Sequence, residues 1–239
     1  MYKERAYRRF SGSDDLISFE IKEKQTDLYI LAARDLSSQA REAVLGYRAE
    51  IENYIAQNPE FYTALMPINV RESASEIVRA MAEAAGKAGV GPMAAIAGAI
   101  SEFVGRDLLA FSDQVIVENG GDIFLKTSKK RVMGVYVGEA SPFKGKIAIE
   151  IDPSEKALGV CTSSGTVSHS LSFGNADAAL IISANAALAD AVATKAGNAV
   201  KSIYDIEKGI DLARSVAGVS GVLIIISDKM GSWGEIKLV

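Results

Sequence analysis

Three short segments of this sequence hold residue types that do chemistry. In "ADAVAT", residues 189–194, Asp190 and Thr194 are four apart in a helical pattern and project from one face. A carboxylate beside a hydroxyl is a hard-oxygen pair, suited to Mg2+ and unsuited to zinc. An acid near a helix start also serves the helix dipole, so this pair has a purely structural reading as well.

The second segment is "GVCTSSGTVSHSLSFGNADA", residues 159–178, dense in glycine and small hydroxyl residues. Thr162, Ser163, Ser164 and Gly165 can turn several backbone N–H groups and hydroxyls toward one anion, as phosphate-binding loops do. It also carries the chain's single cysteine, Cys161, and single histidine, His169. Folded back on each other, these would form a thiolate–imidazole pair; otherwise they are a packed thiol and a hydrogen-bonded loop imidazole. The third segment is "VIVENGGDIFL", residues 115–125, where Asn119-Gly120 between apolar runs predicts a two-residue hairpin turn. Gly121 is a second glycine that such a turn does not need, and Glu118 and Asp122 flank the pair. A ligand lying against the main chain would account for it.

The elements that must position these residues follow from periodicity. Strand-like alternation occupies 5–11, 15–23 and 27–33, and Ala40, Val44, Tyr47, Ile51 and Ile55 share one face of a helix over 37–55. A second helix opens at Ser73–Glu76. A third is predicted over 91–110 with Pro92 at its first position. The small face of that helix (Ala95, Gly98, Ala99, Gly105) predicts the close approach of another backbone. Strands are expected at 114–118, 122–126, 132–137, 145–151, 157–161, 178–183, 221–227 and 232–238, and helices at 186–201 and 206–217. Asn185 is placed to cap the first of those two helices. The pattern predicts an α+β fold with mostly antiparallel sheet packed against helices.

Composition narrows the function classes. With 239 residues, 49% hydrophobic, 23% charged and a net charge of −4, the chain is an ordinary globular sequence. The one basic cluster, "KTSKKR" at 126–131, reads as a solvated loop, which argues against nucleic acid and anionic membrane as partners. A lone cysteine allows no internal disulfide, and "MYKERAYRRF" lacks the apolar core of a secretory signal, so a cytoplasmic location is expected.

Taken in order, "ENGGDI", "CTSSG", "SH" at 168–169 and "ADAVAT" resemble the motifs of the ApbE superfamily of flavin transferases. With "ERAYR" and "GPMAAIAGAI" the resemblance extends over nearly the whole chain. It is narrowest to a branch of ApbE-like proteins found chiefly in methanogenic archaea and anaerobic bacteria. It implies tandem T-fold-like halves (1–112 and 113–239) within one domain over 1–239. It also implies Mg2+ on Asp190 and Thr194, and FAD along Asn119, Gly120, Gly121, Asp122, Thr162, Ser163, Ser164 and Gly165. The reaction implied is transfer of FMN from FAD to a protein acceptor, or action on another flavin or nucleotide pyrophosphate. Two departures stand out. "SLSFGNADA" replaces the Asp-Pro-Arg-Thr-Gly motif of the transferases, and Ala97-Gly98 replaces their Lys-Gly. Cys161 replaces their usual alanine, and the same branch has links to sulfur assimilation. The alternatives are therefore a persulfide-carrying accessory protein using Cys161 with His169, or a flavin binder without turnover.

Overall fold

Strands with unbroken apolar runs need cover on both faces, and four segments of this chain carry such a run. The computed structural model describes residues 10–11, 13–137, 141–165 and 173–239. Its β4 (Val115–Asn119), β5 (Asp122–Lys126), β9 (Ala178–Ser183) and β10 (Val219–Ile226) lie inside an eight-stranded sheet. The others are β2 (Ile17–Glu23), β3 (Thr26–Ala32), β8 (Leu158–Ser163) and β11 (Lys229–Gly234). The order is β11-β10-β9-β8-β5-β4-β3-β2, and every neighbouring pair is antiparallel.

Alternation along these strands assigns the two faces. Val117, Phe124, Cys161, Ile181 and Val222 meet the helices, whereas Ile116, Leu125, Val160, Leu180 and Leu223 meet a smaller sheet. That sheet comprises β1 (Phe10–Ser11), β6 (Arg131–Gly134) and β7 (Ala148–Ile151). The helical layer holds α1 (Ser37–Gln57), α2 (Glu60–Thr63), α3 (Glu76–Ala88), α4 (Ile96–Leu108), α5 (Ala186–Ala199) and α6 (Ile206–Arg214). Among the described residues no single helix is long and apolar enough to cross a membrane.

The fold is α+β as predicted, and one order of elements occurs twice. Strands β2 and β3, helices α1–α4, and strands β4 and β5 form one set; β8 and β9, α5 and α6, and β10 and β11 form the other. The sets join edge to edge where β5 pairs with β8, with Asp122 opposite Cys161.

Three local expectations are corrected. The helix predicted over 91–110 is a 3-10 turn at Pro92–Ala95 followed by α4, because Ala95 leaves helical geometry. The strand expected at 232–238 begins at Lys229, because Ser227 adopts a positive φ of 56° and turns the chain early. Residues 237–239 then cross to β7, where the Glu150 N–H donates to the Lys237 carbonyl at 2.8 Å. The strand predicted at 5–11 is described only at its last two residues.

The third correction concerns the basic cluster. Lys129 and Lys130 are solvated, but Arg131 is fully buried and ties the layers together. Its guanidinium donates to both Asp15 carboxylate oxygens (2.7 and 3.1 Å), to Gln114 Oε1 (2.9 Å) and to Thr127 Oγ1 (3.0 Å). Those bonds hold the Asp15 carboxyl well below its usual range. Removing one partner of such a network leaves the others short of donors. Arg131→Met is expected to lower unfolding free energy by about 2–4 kcal/mol in urea titrations, reduced from the fully buried case because Asp15 is partly solvated.

Candidate functional site

The turn at the third segment is one residue later than the sequence predicts. Asn119 pairs with Asp122, so the two loop residues are Gly120 and Gly121, with φ of 69° and 106°. A tight hairpin loop with positive φ at both centres needs both glycines, so Gly121 serves the turn itself. A side-chain carbon there would make only ordinary contact with Thr162, so no close backbone approach explains this glycine. The flanking polar groups close the turn. The Glu118 carboxylate accepts from the Gly121 N–H at 2.7 Å, and the Asn119 amide donates to the Ala97 carbonyl at 3.1 Å.

That turn places Asp122 at the start of β5, against β8. Asp122 Oδ1 accepts from the Thr162 N–H at 3.3 Å. From the helical layer, α5 brings Asp190 to the same place, and its Oδ2 accepts from the Gly98 N–H of α4 at 2.9 Å. Both carboxylates are buried. Burial raises the pKa of each: Asp190 to about 7, and Asp122 well above the ordinary carboxylate range, with Asp190 as a further cause. Among the described residues neither is ion-paired with a lysine or arginine. Thr194, one turn beyond Asp190 on the same face, is half-buried.

Small residues make this convergence possible. Gly98 of α4 and Gly159 of β8 both lie against the backbone of Ala186, and a side-chain carbon on either would collide with it. Of the small face predicted for residues 95–105, Gly98 meets the backbone of α5 as expected, whereas Gly105 lies against the Phe124 ring of β5. Further along, the stem of the hydroxyl-rich segment is clamped on the same helix. A side chain on Gly165 would strike the Gly174 carbonyl, and one on Gly174 would strike the Gly197 carbonyl. The Gly165 N–H donates to the Ala176 carbonyl at 2.9 Å, and Ser163 faces Gly197. Gly165 thus has a packing reason, and Thr162, Ser163 and Ser164 stand at the mouth of the stem. His169 and Ser168 lie outside the described residues.

Cys161 occupies the surroundings of a packed thiol. It is fully buried, donates to the Ala186 carbonyl at 3.3 Å, and has its pKa raised by burial and by the nearby Asp122 and Asp190 charges. A thiolate needs the opposite environment.

Sequence reasoning missed Glu102. Its carboxylate accepts from the Ala186 N–H at 2.8 Å and the Ala187 N–H at 3.2 Å, at the start of α5. The signal was faint: an acid four residues after Gly98, on a helix read only for its small face. Asn185 caps as expected, accepting from the Leu188 N–H at 2.9 Å.

Residues 8–219 match a family model described as AbpE bacteria. A UPF0280 protein of Methanococcus aeolicus is 44% identical over 202 residues, covering 82% of this chain and 81% of that protein. Another, from Methanocella arvoryzae, is 40% identical over 214 residues, with 89% and 86% covered. Among solved structures, the flavin transferase ApbE from Vibrio cholerae superposes with a TM-score of 0.60, covering 92% of this chain and 96% of that one. The apo flavinyl transferase ApbE of Pseudomonas stutzeri gives 0.58, with 92% and 94% covered. Sequence identity to both is 12%, so this likeness is one of fold.

Two outcomes test the site's electrostatics. Burial pushes the Asp190 pKa up to about 7 in the folded chain, against about 3.9 unfolded, so between those values the folded state binds more protons and stability falls as pH rises. Asp190→Asn keeps an acceptor for Gly98 without the charge. In urea titrations with chelator present it should match wild type near pH 4 and exceed it by about 1–3 kcal/mol at pH 8. Cys161 should resist iodoacetamide in the folded protein and react once denaturant unfolds it; prompt alkylation of the native thiol would contradict its packing.

Proposed function

The chain belongs to the ApbE-like family, and from that premise we propose that it binds FAD or a related flavin pyrophosphate with Mg2+ and acts on the pyrophosphate bond. The observation that carries this reading is the meeting of the buried carboxylates Asp122 and Asp190, with Thr162 of the hydroxyl-rich stretch bonded to Asp122. Two buried carboxylates of raised proton affinity, that of Asp122 raised further by Asp190, with no basic side chain paired to either among the described residues, favour a divalent cation between protein and substrate. Mg2+ needs only one or two carboxylates, its remaining positions going to water and phosphate oxygens. The donor set fits: Asp190 and Thr194 would hold the ion, with Asp122 alongside.

When bound there, Mg2+ would offset negative charge developing on the phosphates as the anhydride bond breaks. The chain's own groups do the rest. Asp122 fixes the Thr162 N–H at the end of β8 and so holds the half-buried hydroxyls of Thr162 and Ser163 where they would meet phosphate oxygens. The carboxylate–amide bond between Asp190 and Gly98 fixes the acid that would hold the ion. In the transfer reaction, the bond from the FMN phosphorus of FAD to the bridging oxygen would be cleaved, and AMP would depart with that oxygen. A phosphoester forms to the acceptor hydroxyl, which gives up its proton.

A second reading, binding without turnover, is favoured by "SLSFGNADA" in place of the polar Asp-Pro-Arg-Thr-Gly motif. Sulfur transfer through Cys161 has less support, because the thiol is fully buried and its pKa raised.

Calorimetric titration with FAD, with Mg2+ or with chelator, separates these readings. FAD should bind with Mg2+ and weaken at least about tenfold without it, with Asp190→Asn and Thr194→Val each losing the Mg2+ dependence. AMP release marks an enzyme, and binding without it marks a carrier. No detectable FAD binding at about millimolar concentration would remove both.

A further inference from the structure

We infer that Glu102 is the positioning residue of the cation-binding face, setting from α4 where Asp190 and Thr194 stand on α5; this rests on the reading that those two residues hold Mg2+. The first turn of a helix leaves backbone N–H groups without partners, and whatever takes them up fixes the helix's start. In α5 the Ala186 and Ala187 N–H groups go to Glu102, 84 and 85 residues away in sequence, and the Leu188 N–H goes to Asn185. The Ala189 N–H closes the first intrahelical bond on the Asn185 carbonyl at 3.2 Å. Asn185 moves with α5 and cannot locate it. Glu102 belongs to another element and can.

The neighbours of Ala186 show why one carboxylate governs placement. Gly98 and Gly159 touch its backbone on two sides and the Cys161 thiol donates to its carbonyl. Glycine contacts limit how near the helix comes but resist turning and sliding weakly, because they are nondirectional. The two charge-assisted bonds from Ala186 and Ala187 converge on one oxygen, Glu102 Oε2, and are directional. Asp190 follows Ala186 by one turn and Thr194 by two, so a rotation at Ala186 displaces both ligands together. Asp190 then returns to the Gly98 N–H, one turn before Glu102 on α4. Each helix thus carries the acid that holds the other's first turn.

The test compares Glu102→Gln, Glu102→Ala and Glu102→Asp with Val44→Ala, a core substitution on α1 that lowers stability away from α5. Affinity for Mn2+, standing in for Mg2+, is measured by electron paramagnetic resonance with FAD present, at a temperature where circular dichroism shows every variant folded. Amide hydrogen exchange at Ala186–Leu188 is followed in parallel. Glu102→Gln retains an acceptor oxygen and should bind the ion within about threefold of wild type. Glu102→Ala should lose about tenfold or more and exchange those amides faster, and Glu102→Asp, one methylene short, should fall between. Val44→Ala should leave ion affinity unchanged. Wild-type affinity in a folded Glu102→Ala would overturn the inference, as would Glu102→Gln binding as weakly as Glu102→Ala. Should Glu102→Ala fail to fold, Glu102→Asp decides by the same criterion. Wild-type protein that binds no Mn2+ would overturn the functional reading, and this inference with it, before any variant is compared.

Discussion

Two acids exchanged between α4 and α5, Asp190 buried and Glu102 half-buried, are the constraint on which the rest of the structure depends. Burying a carboxylate is costly unless its oxygens are met by donors, and helix N-termini supply donors that would otherwise go unmet. Here Glu102 of α4 holds the start of α5, while Asp190 of α5 holds the Gly98 N–H near the start of α4. The exchange relieves both problems at once, and it works only if the helices nearly touch, which Gly98 permits. Burial still raises the pKa of both acids, so the backbone donors compensate incompletely. That residual cost is electrostatic, and either a proton or the cation proposed above would relieve it on the Asp190 side.

The exchange also bridges the two repeated sets of elements. Helix α4 and strand β5 belong to the first set, and β8 and α5 belong to the second. Asp122 from β5, Thr162 from β8, Gly98 from α4 and Asp190 from α5 all meet at the line where the sets join. A duplicated fold has one such seam, and it is the place where side chains from both copies converge without a long loop to carry them. The candidate site is therefore a product of the architecture.

Much of this was legible in the sequence because local periodicity and tertiary burial agree. The run from Val115 to Leu125 read as two strands and a turn, and Asn185 read as a cap, because each signal lies within a few residues. The turn's register was misread: Asn-Gly is the commoner hairpin pair, but here Asn119 is engaged with Ala97 and the following Gly-Gly makes the bend. Arg131 looked solvated because its burial depends on Asp15, Gln114 and Thr127, of which only Thr127 is close in sequence. Glu102 was passed over for the same reason, since its partners lie 84 and 85 residues away. What escaped sequence reasoning was long-range pairing of polar groups, which leaves no periodic trace.

The cysteine shows how the same residue changes meaning once its neighbours are known. In sequence, Cys161 beside a hydroxyl-rich segment invited thiol chemistry. In the structure it sits opposite Asp122 across the β5–β8 seam and directs its hydrogen toward the Ala186 carbonyl. A thiolate there would face a carbonyl dipole and two carboxylates in a dry interior, each of which opposes negative charge. As a neutral thiol, Cys161 fills a small space, gives Ala186 a weak further bond, and adds no charge beside two acids already raised in pKa. A larger or ionised group at that position would push α5 away from β8 and carry Asp190 with it. The residue fits a site whose chemistry depends on where Asp190 is held.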